Sequence, residues 1–291
     1  MPTPGHPAHD DRIFYKEARS LVKAGAEVTI ICSHEKKIPE KTDGVRFVQY
    51  EGGGSLKRRF GTIYLLESAI AQEQWDVIHC HEPDGLMASL RMKRKRGTPV
   101  VFDSHEMWGG VFAGRFPEQL WSPAEFFYKA IERPYLKQCD AAIGASWAIS
   151  DYLASVIGPG RVATILNVPV VEVFGEVPDR SWGDQTVFCH DGHLSFDRGL
   201  KTMAEAIAIV SKKHDVVLKI VGDVYNEEKD WLEEFVERRG LAERIVRTGW
   251  LPYEEVGSAL SECHIGLVAL QRTPNNVVTS SNKVFNYMLY G

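Results

Sequence analysis

Histidine and carboxylate side chains follow two apolar runs of this sequence, where a parallel sheet would bind a ligand. His79, His81 and Glu82 end one run, and Asp103 and His105 end another. Doubly wound α/β folds bind ligands outside the carboxyl ends of their strands. One histidine at such a point can simply cap a loop, but two clusters together favour a functional site built from imidazole and carboxylate groups.

A metal is not expected in either cluster. Three His-Glu pairs, at residues 34–35, 81–82 and 105–106, lack the second histidine four residues on that a helical zinc site needs. His79 and His81 point to the same side of a strand, so a metal between them is conceivable. No Asp-x-Asp motif is present to hold a divalent ion on a nucleotide diphosphate. We therefore predict no metal, and expect protein cations and backbone amides to neutralise any bound diphosphate.

The second half of the sequence contains a turn that suits an anion. Residues 190–200 predict a strand, a turn at Gly192 and a helix that begins near Gly199. Free amides at the helix N-terminus, together with the side chains of His193 and Arg198, would bind a diphosphate. A second turn follows a predicted strand at Gly222. These glycines do not form G-x-G-x-x-G, which argues against a dinucleotide-dependent dehydrogenase.

Alternating strands and helices must position these residues. Short β-branched runs alternate with helical patterns, which is typical of βαβ units and parallel sheets. We predict two Rossmann-like α/β domains, at residues 1–170 and 171–291, joined by the Pro- and Gly-containing stretch 167–185. The predicted strands are 27–32, 46–50, 77–80, 99–103, 141–144, 161–166, 186–190, 216–221, 245–248 and 265–269, and the predicted helices are 11–24, 56–73, 124–137, 199–212, 227–239 and 254–263.

Composition and charge limit the function class. The 291 residues include 44% hydrophobic and 25% charged side chains, as in ordinary globular proteins. A net charge of −5 argues against a nucleic-acid partner. Five scattered cysteines without a C-x-x-C pair indicate buried, reduced thiols and a cytoplasmic protein. No apolar run reaches the ~18 residues of a membrane span, and the first residues do not have the pattern of a signal peptide.

Both ends of the sequence predict missing strands. Residues 1–10 are polar and contain no apolar run, although a doubly wound domain normally opens with a buried strand. The sequence stops at Gly291, directly after a predicted helix that should lead into another strand. We therefore expect an initial strand and the final part of the second domain to be missing.

Two surface features leave membrane contact open as a hypothesis. The basic runs at residues 57–59 and 91–96 are either solvated helix ends or contacts with an anionic membrane surface. The stretch 107–136 is dense in aromatic side chains, which either pack in a core or contact an acceptor or a membrane. These side chains are Trp108, Phe112, Phe116, Trp121, Phe126, Phe127, Tyr128 and Tyr135.

Several segments, taken in order, resemble the family 4 retaining glycosyltransferases of the GT-B fold. They lie at residues 6–18, 76–81, 101–106, 191–200, 221–222, 248–252 and 282–288. The resemblance covers nearly the whole sequence and implies two Rossmann-like domains that face each other across a cleft. It also implies that the C-terminal domain holds a nucleoside-diphosphate sugar and that the N-terminal domain holds the acceptor.

The same resemblance implies roles for individual residues. His105 would lie near the transferred sugar, and Arg198 would contact the donor diphosphate as a second catalytic residue. Donor binding would also involve Gly192, His193, Gly222, Lys283 and Asn286, and the acceptor side would include His79, His81 and Glu82. Two family glutamates, seven residues apart, are replaced here by Val278 and Asn286. Asn can still bond a ribose hydroxyl, whereas Val cannot bind a sugar hydroxyl.

The expected function is therefore retaining transfer of a sugar from a UDP- or GDP-sugar to a glycan or a lipid-linked acceptor, without a further cofactor. The leaving diphosphate would be stabilised by Arg198, Lys283 and helix amides. The expected location is the cytoplasm, with peripheral attachment to the inner face of the membrane as a possible addition. A GT-B sugar-nucleotide epimerase and a non-catalytic sugar-nucleotide binding or scaffold protein remain as alternatives.

Overall fold

The computed structural model of the chain describes residues 1–33, 38–50, 56–174 and 183–290. The pair His34-Glu35 and the side chains of the basic run 57–59 lie outside this description. The described residues form two compact units. The N-terminal unit contains Met1–Asn167 and Val277–Ser280, and the C-terminal unit contains Val168–Asn276 and Ser281–Gly291. The division at residue 170 into acceptor and donor domains stays a prediction.

The N-terminal unit is built on parallel strands. They are ordered β3-β4-β2-β1 and β5-β6-β7-β8, and β1 also lies against β5. Among the described strands of this unit, only β3 and β4 pair antiparallel. The strands are β1 (Pro2–Thr3), β2 (Thr29–Ser33), β3 (Lys41–Thr42), β4 (Val45–Tyr50), β5 (Ile78–His81), β6 (Val100–Ser104), β7 (Ala141–Gly144) and β8 (Val162–Thr164).

Helices connect these strands and cover the sheets. A π-helix at Asp11–Ala18 follows β1 and runs directly into α1. Short 3₁₀ turns lie at Glu118–Leu120 and Pro159–Arg161. The α-helices of this unit are α1 (Arg19–Lys23), α2 (Leu56–Ala71), α3 (Glu82–Arg96), α4 (Trp108–Ala113), α5 (Trp121–Leu136) and α6 (Trp147–Ile157).

Alternating burial along the strands explains the packing of this unit. On β5, Ile78 and Cys80 face the core, while His79 and His81 lie on the opposite face of the strand. Phe102 of β6 joins them in a core that also contains Leu66 and Leu90 from the covering helices. The strand thus buries its apolar residues on one side and presents both histidines on the other.

The C-terminal unit repeats the α/β pattern around a second core. Its parallel strands are ordered β11-β10-β9-β12, and its core includes Leu200, Leu218, Ile220 and Leu232. The strands are β9 (Thr186–Asp191), β10 (Val216–Val221), β11 (Ile245–Arg247) and β12 (Ile265–Gly266), and the helices are α7 (Val171–Phe174), α8 (Leu200–Val210), α9 (Asn226–Arg239), α10 (Tyr253–Ser261) and α11 (Asn282–Tyr290).

Each predicted strand is present within three residues of its predicted bounds, whereas the expectation for the N-terminus was wrong. The strands predicted at 141–144 and 216–221 have those bounds. Residues 1–10, for which no strand was expected, contain β1, because Pro2 and Thr3 pair with Ile31 and Cys32 through the backbone without an apolar run. The helix predicted at 11–24 begins as a π-helix. No helix among the described residues has the length and hydropathy to cross a membrane.

Candidate active site

A buried polar cluster lies at the carboxyl ends of β5 and β6. It consists of six side chains: Arg12, Glu17, His79, His81, Asp103 and His105. The π-helix supplies the arginine and the glutamate, β5 supplies two histidines, and β6 and the residue after it supply the rest. The structure thus brings together His79, His81 and His105, which were predicted from strand ends.

Asp103 is the centre of the cluster and is fully buried. The Arg12 guanidinium donates to both of its carboxylate oxygens, at 3.0 and 3.1 Å, and donates a further bond to the Ile165 carbonyl at 2.8 Å. Burial alone would raise the pKa of Asp103, but the hydrogen bond from His105 and the charge of Arg12 hold it well below its ordinary value. Asp103 is therefore a buried carboxylate at neutral pH.

The histidine rings of the cluster contact one another. His81 Nδ1 lies 3.2 Å from His105 Nε2, and His105 Nε2 lies 3.5 Å from Asp103 Oδ2. Desolvation lowers the pKa of His79 to about 4 and that of His81 well below its ordinary value. Both rings of β5 are therefore neutral at neutral pH, and each can donate one hydrogen bond and accept one.

Glu82 lies beside this cluster and has a different partner. Its carboxylate is 3.2 Å from His6 Nε2, while Asp10 lies 2.9 Å from the other nitrogen of the same ring. Burial would lower the pKa of His6, but the hydrogen bonds to Asp10 and Glu82 raise it to about 10. His6 is therefore a cation between two carboxylates.

Arg12 and Glu17 were not among the predicted site residues, because the pattern of residues 11–24 predicts one ordinary helix. Residues five apart fall on different faces of an α-helix, but the i to i+5 hydrogen bonds of a π-helix place them near each other. Arg12 Nε lies 2.9 Å from Glu17 Oε1, and Lys16 Nζ lies 3.3 Å from Asp11 Oδ2. Asp10 caps this helix by accepting from the amides of residues 12 and 13. The sequence pattern that could have revealed this contact is the pair of opposite charges five residues apart, which occurs twice, as Arg12 with Glu17 and as Asp11 with Lys16.

In the C-terminal unit the two predicted glycine turns touch each other. Gly192 follows β9 with φ +83°, and Gly222 follows β10 with φ +146°. A Cβ atom on Gly222 would lie 2.5 Å from the carbonyl oxygen of Gly192. The Gly222 amide donates to Thr248 Oγ1 at 3.0 Å. Gly222 has no room for a side chain, and the positive φ of Gly192 favours glycine there, so backbone atoms form much of this surface.

Arg198 and His193 lie beside these turns, although not all of the expected amides are available there. Arg198 Nη1 donates to the His193 carbonyl at 3.1 Å, and both side chains reach solvent. Desolvation and the charge of Arg198 lower the pKa of His193, so its ring is neutral at neutral pH. The amides of residues 198–200 donate to the carbonyls of Ser195 and Phe196, which excludes them as free anion donors. Arg198 is therefore a partly exposed cation beside this turn.

Helix α11 contributes Lys283 and Asn286 to the same edge of the sheet. Both are buried, and Lys283 Nζ lies 3.8 Å from the position that a Cβ on Gly192 would take. Asn286 Nδ2 donates to Asp191 Oδ2 at 2.6 Å, so this amide nitrogen is already bonded within the protein. Val278 belongs to the other unit, where it packs against the N-terminal core.

The aromatic stretch does not behave as one core helix. Phe126 is 76% exposed and Phe127 is 59% exposed on α5, and Ile131 one turn later is 51% exposed. Trp108 and Tyr135, in contrast, pack against the N-terminal core. Core packing therefore accounts for part of the stretch only, and α5 presents an apolar face to solvent in the described chain.

The sequence is similar to two related families of known proteins. A profile described as Glycosyltransferase Family 4 matches residues 12–168, and one described as Glycosyl transferases group 1 matches residues 185–291. A curated relative from Arabidopsis thaliana, one of the subunits of phosphatidylinositol N-acetylglucosaminyltransferase, is 24% identical over 212 residues. That match covers 72% of this chain and 45% of the relative, so the chain spans about half the length of the curated relative it matches.

Solved structures of glycosyltransferases have the same fold. Sucrose-phosphate synthase from Thermosynechococcus elongatus aligns with a TM-score of 0.71 at 16% identity, over 90% of this chain and 70% of that one. HepE of Anabaena, in complex with UDP-glucose, aligns with a TM-score of 0.64 at 15% identity, over 92% of this chain and 72% of that one. These likenesses support the predicted GT-B fold.

Proposed function

This chain belongs to glycosyltransferase family 4, and from that membership we propose that it transfers a sugar from a nucleoside-diphosphate donor with retention of configuration. The observation that carries the proposal is the edge of the C-terminal sheet, where two side-chain-free turns meet Arg198 and Lys283. A dianionic diphosphate needs this combination of close backbone approach and positive charge. The Anabaena neighbour was solved with UDP-glucose, which favours a UDP-sugar as the first donor to test.

In the proposed reaction the bond between the sugar and the diphosphate breaks first. Arg198 and Lys283 stabilise the negative charge that develops on the leaving diphosphate, and they act without a metal on the phosphates. The acceptor hydroxyl then attacks the oxocarbenium-like sugar from the face that the diphosphate leaves. We assign His105 to the transferred sugar, and His79, His81 and Glu82 to the acceptor side.

Replacement of Arg198 tests this assignment directly. The Arg198→Ala variant should lower the rate of sugar transfer by about 10²–10³, because a preorganised charge contact to the leaving group is lost. Arg238→Ala is the matched control, since Arg238 is exposed on α9 and pairs with Glu234 one turn away. The measurement is release of UDP from UDP-sugars by the purified chain. Equal rates for the two variants would remove Arg198 from the mechanism.

The acceptor proposed here is lipid-linked and presented at an anionic membrane. The exposed apolar face of α5 supports this proposal, because Lys129, Arg133 and Lys137 lie along the same helix and at its end. Cosedimentation with vesicles that contain anionic lipid should fall at least about tenfold in the double variant Phe126→Ser, Phe127→Ser. Ile209→Ser replaces an equally exposed apolar residue in the C-terminal unit and should not change it.

Two other functions give different results in the same assays. A sugar-nucleotide epimerase would convert the donor without an acceptor, so the products would contain a modified free sugar. A non-catalytic binding protein is favoured by Val278 and Asn286, since the valine packs in the N-terminal core and the asparagine bonds Asp191. It would bind UDP in calorimetry and show neither hydrolysis nor transfer.

A further inference from the structure

Four side chains of the buried polar cluster converge as metal ligands do. Glu17 comes from the π-helix, His79 and His81 from β5, and Asp103 from β6. One ligand atom from each lies within 4.8 Å of the others. Three elements that are remote in sequence thus bring two imidazoles and two carboxylates to one point, which the sequence analysis did not foresee when it predicted no metal.

The atoms that face this point lack hydrogen-bond partners among the described residues. They are Nε2 of His79, Nε2 of His81 and both carboxylate oxygens of Glu17. Glu17 Oε1 lies 2.9 Å from Arg12 Nε, but the single hydrogen of that nitrogen is directed to Asp103. His81 is fully buried and Glu17 nearly so. Buried polar atoms without partners are costly, so a native protein supplies them with one.

The spacing of these atoms fits a compact tetrahedral ion after a small contraction. Glu17 Oε2 lies 3.8 Å from His79 Nε2 and 3.9 Å from His81 Nε2, and His79 Nε2 lies 3.9 Å from Asp103 Oδ2. Zinc bonds of about 2.0–2.2 Å place neighbouring ligand atoms about 3.3–3.5 Å apart in a tetrahedral site. These three pairs must therefore close by about half an ångström, and the remaining pairs, which lie within 4.8 Å, by at most about 1.5 Å, through rotation of the side chains.

We propose that Glu17, His79, His81 and Asp103 bind one Zn²⁺ ion as a closed structural site. Imidazole ligands favour zinc over Mg²⁺ and Ca²⁺, which prefer oxygen. No thiolate takes part, because Cys80 lies on the other face of β5 and its Sγ contacts the Val101 carbonyl. Four protein ligands leave no open position for a substrate, so with zinc bound His79 and His81 act on the acceptor side by fixing the end of β5 and not by direct contact. Arg12 keeps its bond to Asp103 Oδ1 and orients that ligand.

A bound zinc ion allows only one tautomer of His81, the ring that lies next to His105. A zinc ion on Nε2 of His81 puts the proton of that ring on Nδ1. The His81 Nδ1–H then donates to His105 Nε2, 3.2 Å away, and this bond replaces the one from His105 Nε2 to Asp103. The ion thereby positions the ring that is assigned to the transferred sugar, and it also ties the π-helix to β5 and β6.

Metal content of the untagged, full 291-residue chain tests the site. After Zn²⁺ loading and dialysis, elemental analysis should find one zinc per chain, and EDTA should lower the melting temperature. His79→Gln and Glu17→Gln should each weaken Zn²⁺ binding by about 100-fold or more. His214→Gln is the control, because His214 is an exposed histidine of the C-terminal unit, and it should bind like the unchanged chain.

X-ray absorption on the loaded, unsubstituted chain keeps the test independent of whether the variants fold. It should show four N/O ligands, two of them imidazoles. Failure to retain zinc, or a spectrum without two imidazoles, overturns the proposal and leaves a proton on Glu17 as the way the cluster balances its charge. The proposal is also overturned if His79→Gln and Glu17→Gln retain as much zinc as His214→Gln does.

Discussion

Gly222 is a residue of the C-terminal unit where a single added carbon should be costly. Its φ of +146° and the 2.5 Å approach of the Gly192 carbonyl to a built Cβ combine backbone strain with a backbone clash. Gly222→Ala should therefore lower the free energy of unfolding by about 2–4 kcal/mol. Denaturant unfolding followed by circular dichroism measures the difference.

Gly160→Ala is the matched control for this substitution. A Cβ there meets nothing within 4 Å, and its φ is negative. The change should stay within about 0.5 kcal/mol of the unchanged chain. A Gly222→Ala protein as stable as the Gly160→Ala protein would contradict the close packing of the two turns.

His190 should make stability fall in mild acid. The ring is fully buried on β9, and desolvation and the charge of Lys283 lower its pKa to about 3. The unfolded chain binds the proton at an ordinary pKa, so the stability from neutral His190 is complete above about pH 6.5 and is lost between about pH 6.5 and 3. From pH 7.5 to 5 this group should account for about 2 kcal/mol.

Urea unfolding of His190→Gln across the same pH range isolates this contribution, because other titrating groups are common to both proteins. The unfolding free energy of the variant should change less between pH 7.5 and 5. His214→Gln, at an exposed position, should leave the pH dependence unchanged. Parallel curves for the unchanged chain and His190→Gln would show that the buried ring does not titrate as argued.

At the scale of elements, the strand ends of the site could be predicted from the sequence, whereas the π-helix could not. The histidines of β5 and the one after β6 were found because strand ends in parallel sheets are predictable from short-range patterns. Arg12 and Glu17 were not found, because their pairing needs a rare helix type that a 3.6-residue period conceals. Their contact with Asp103 spans 91 residues for the arginine, and no local pattern encodes it.

Ser146 links two elements through one hydroxyl. Its oxygen accepts from the Ile149 amide as the N-cap of α6, and its hydrogen is donated to the Val278 carbonyl at 3.0 Å. Ser146→Ala should destabilise the chain by about 2 kcal/mol, because the cap and a buried carbonyl partner are lost together. Thermal and urea unfolding measure this loss.

Ser155 offers the comparison within the same helix. It is exposed, and its hydroxyl donates to the Tyr152 carbonyl three residues earlier. Ser155→Ala should be neutral or slightly stabilising, since alanine is the better helix former. A loss at Ser155 as large as that at Ser146 would mean that the cap and the bond to Val278 contribute little.

At the scale of the whole molecule, the reactivity of the cysteine thiols measures how well both units are packed. None of the five cysteines forms a disulfide, and all five are buried. Burial raises the pKa of Cys139 to about 12 and that of Cys80 further, so little reactive thiolate is present. The native chain should react with a thiol reagent at fewer than about one site within minutes, and the denatured chain at all five. Rapid labelling of the native chain would reveal an opening that these cores do not predict.

The α/β alternation was predictable across the whole chain, because each strand and helix has its own period and its own turn residues. The assignment of Val277–Ser280 to the N-terminal unit was not. Nothing in those four residues distinguishes them from their neighbours, and their place depends on a hydroxyl more than a hundred residues away. The same limit applies to β1, whose two residues are recognisable as a strand only by their pairing with β2.

The path of Val277–Ser280 limits how this protein can be recombined with its relatives. The chain leaves the N-terminal unit after Asn167, returns to it for these four residues, and leaves again at Ser281. A chimera joined once near residue 168 would bring a foreign version of this return segment to the Ser146 hydroxyl and the apolar core behind it. Exchange of the C-terminal unit therefore requires two further junctions, so that the recipient keeps its own residues 277–280.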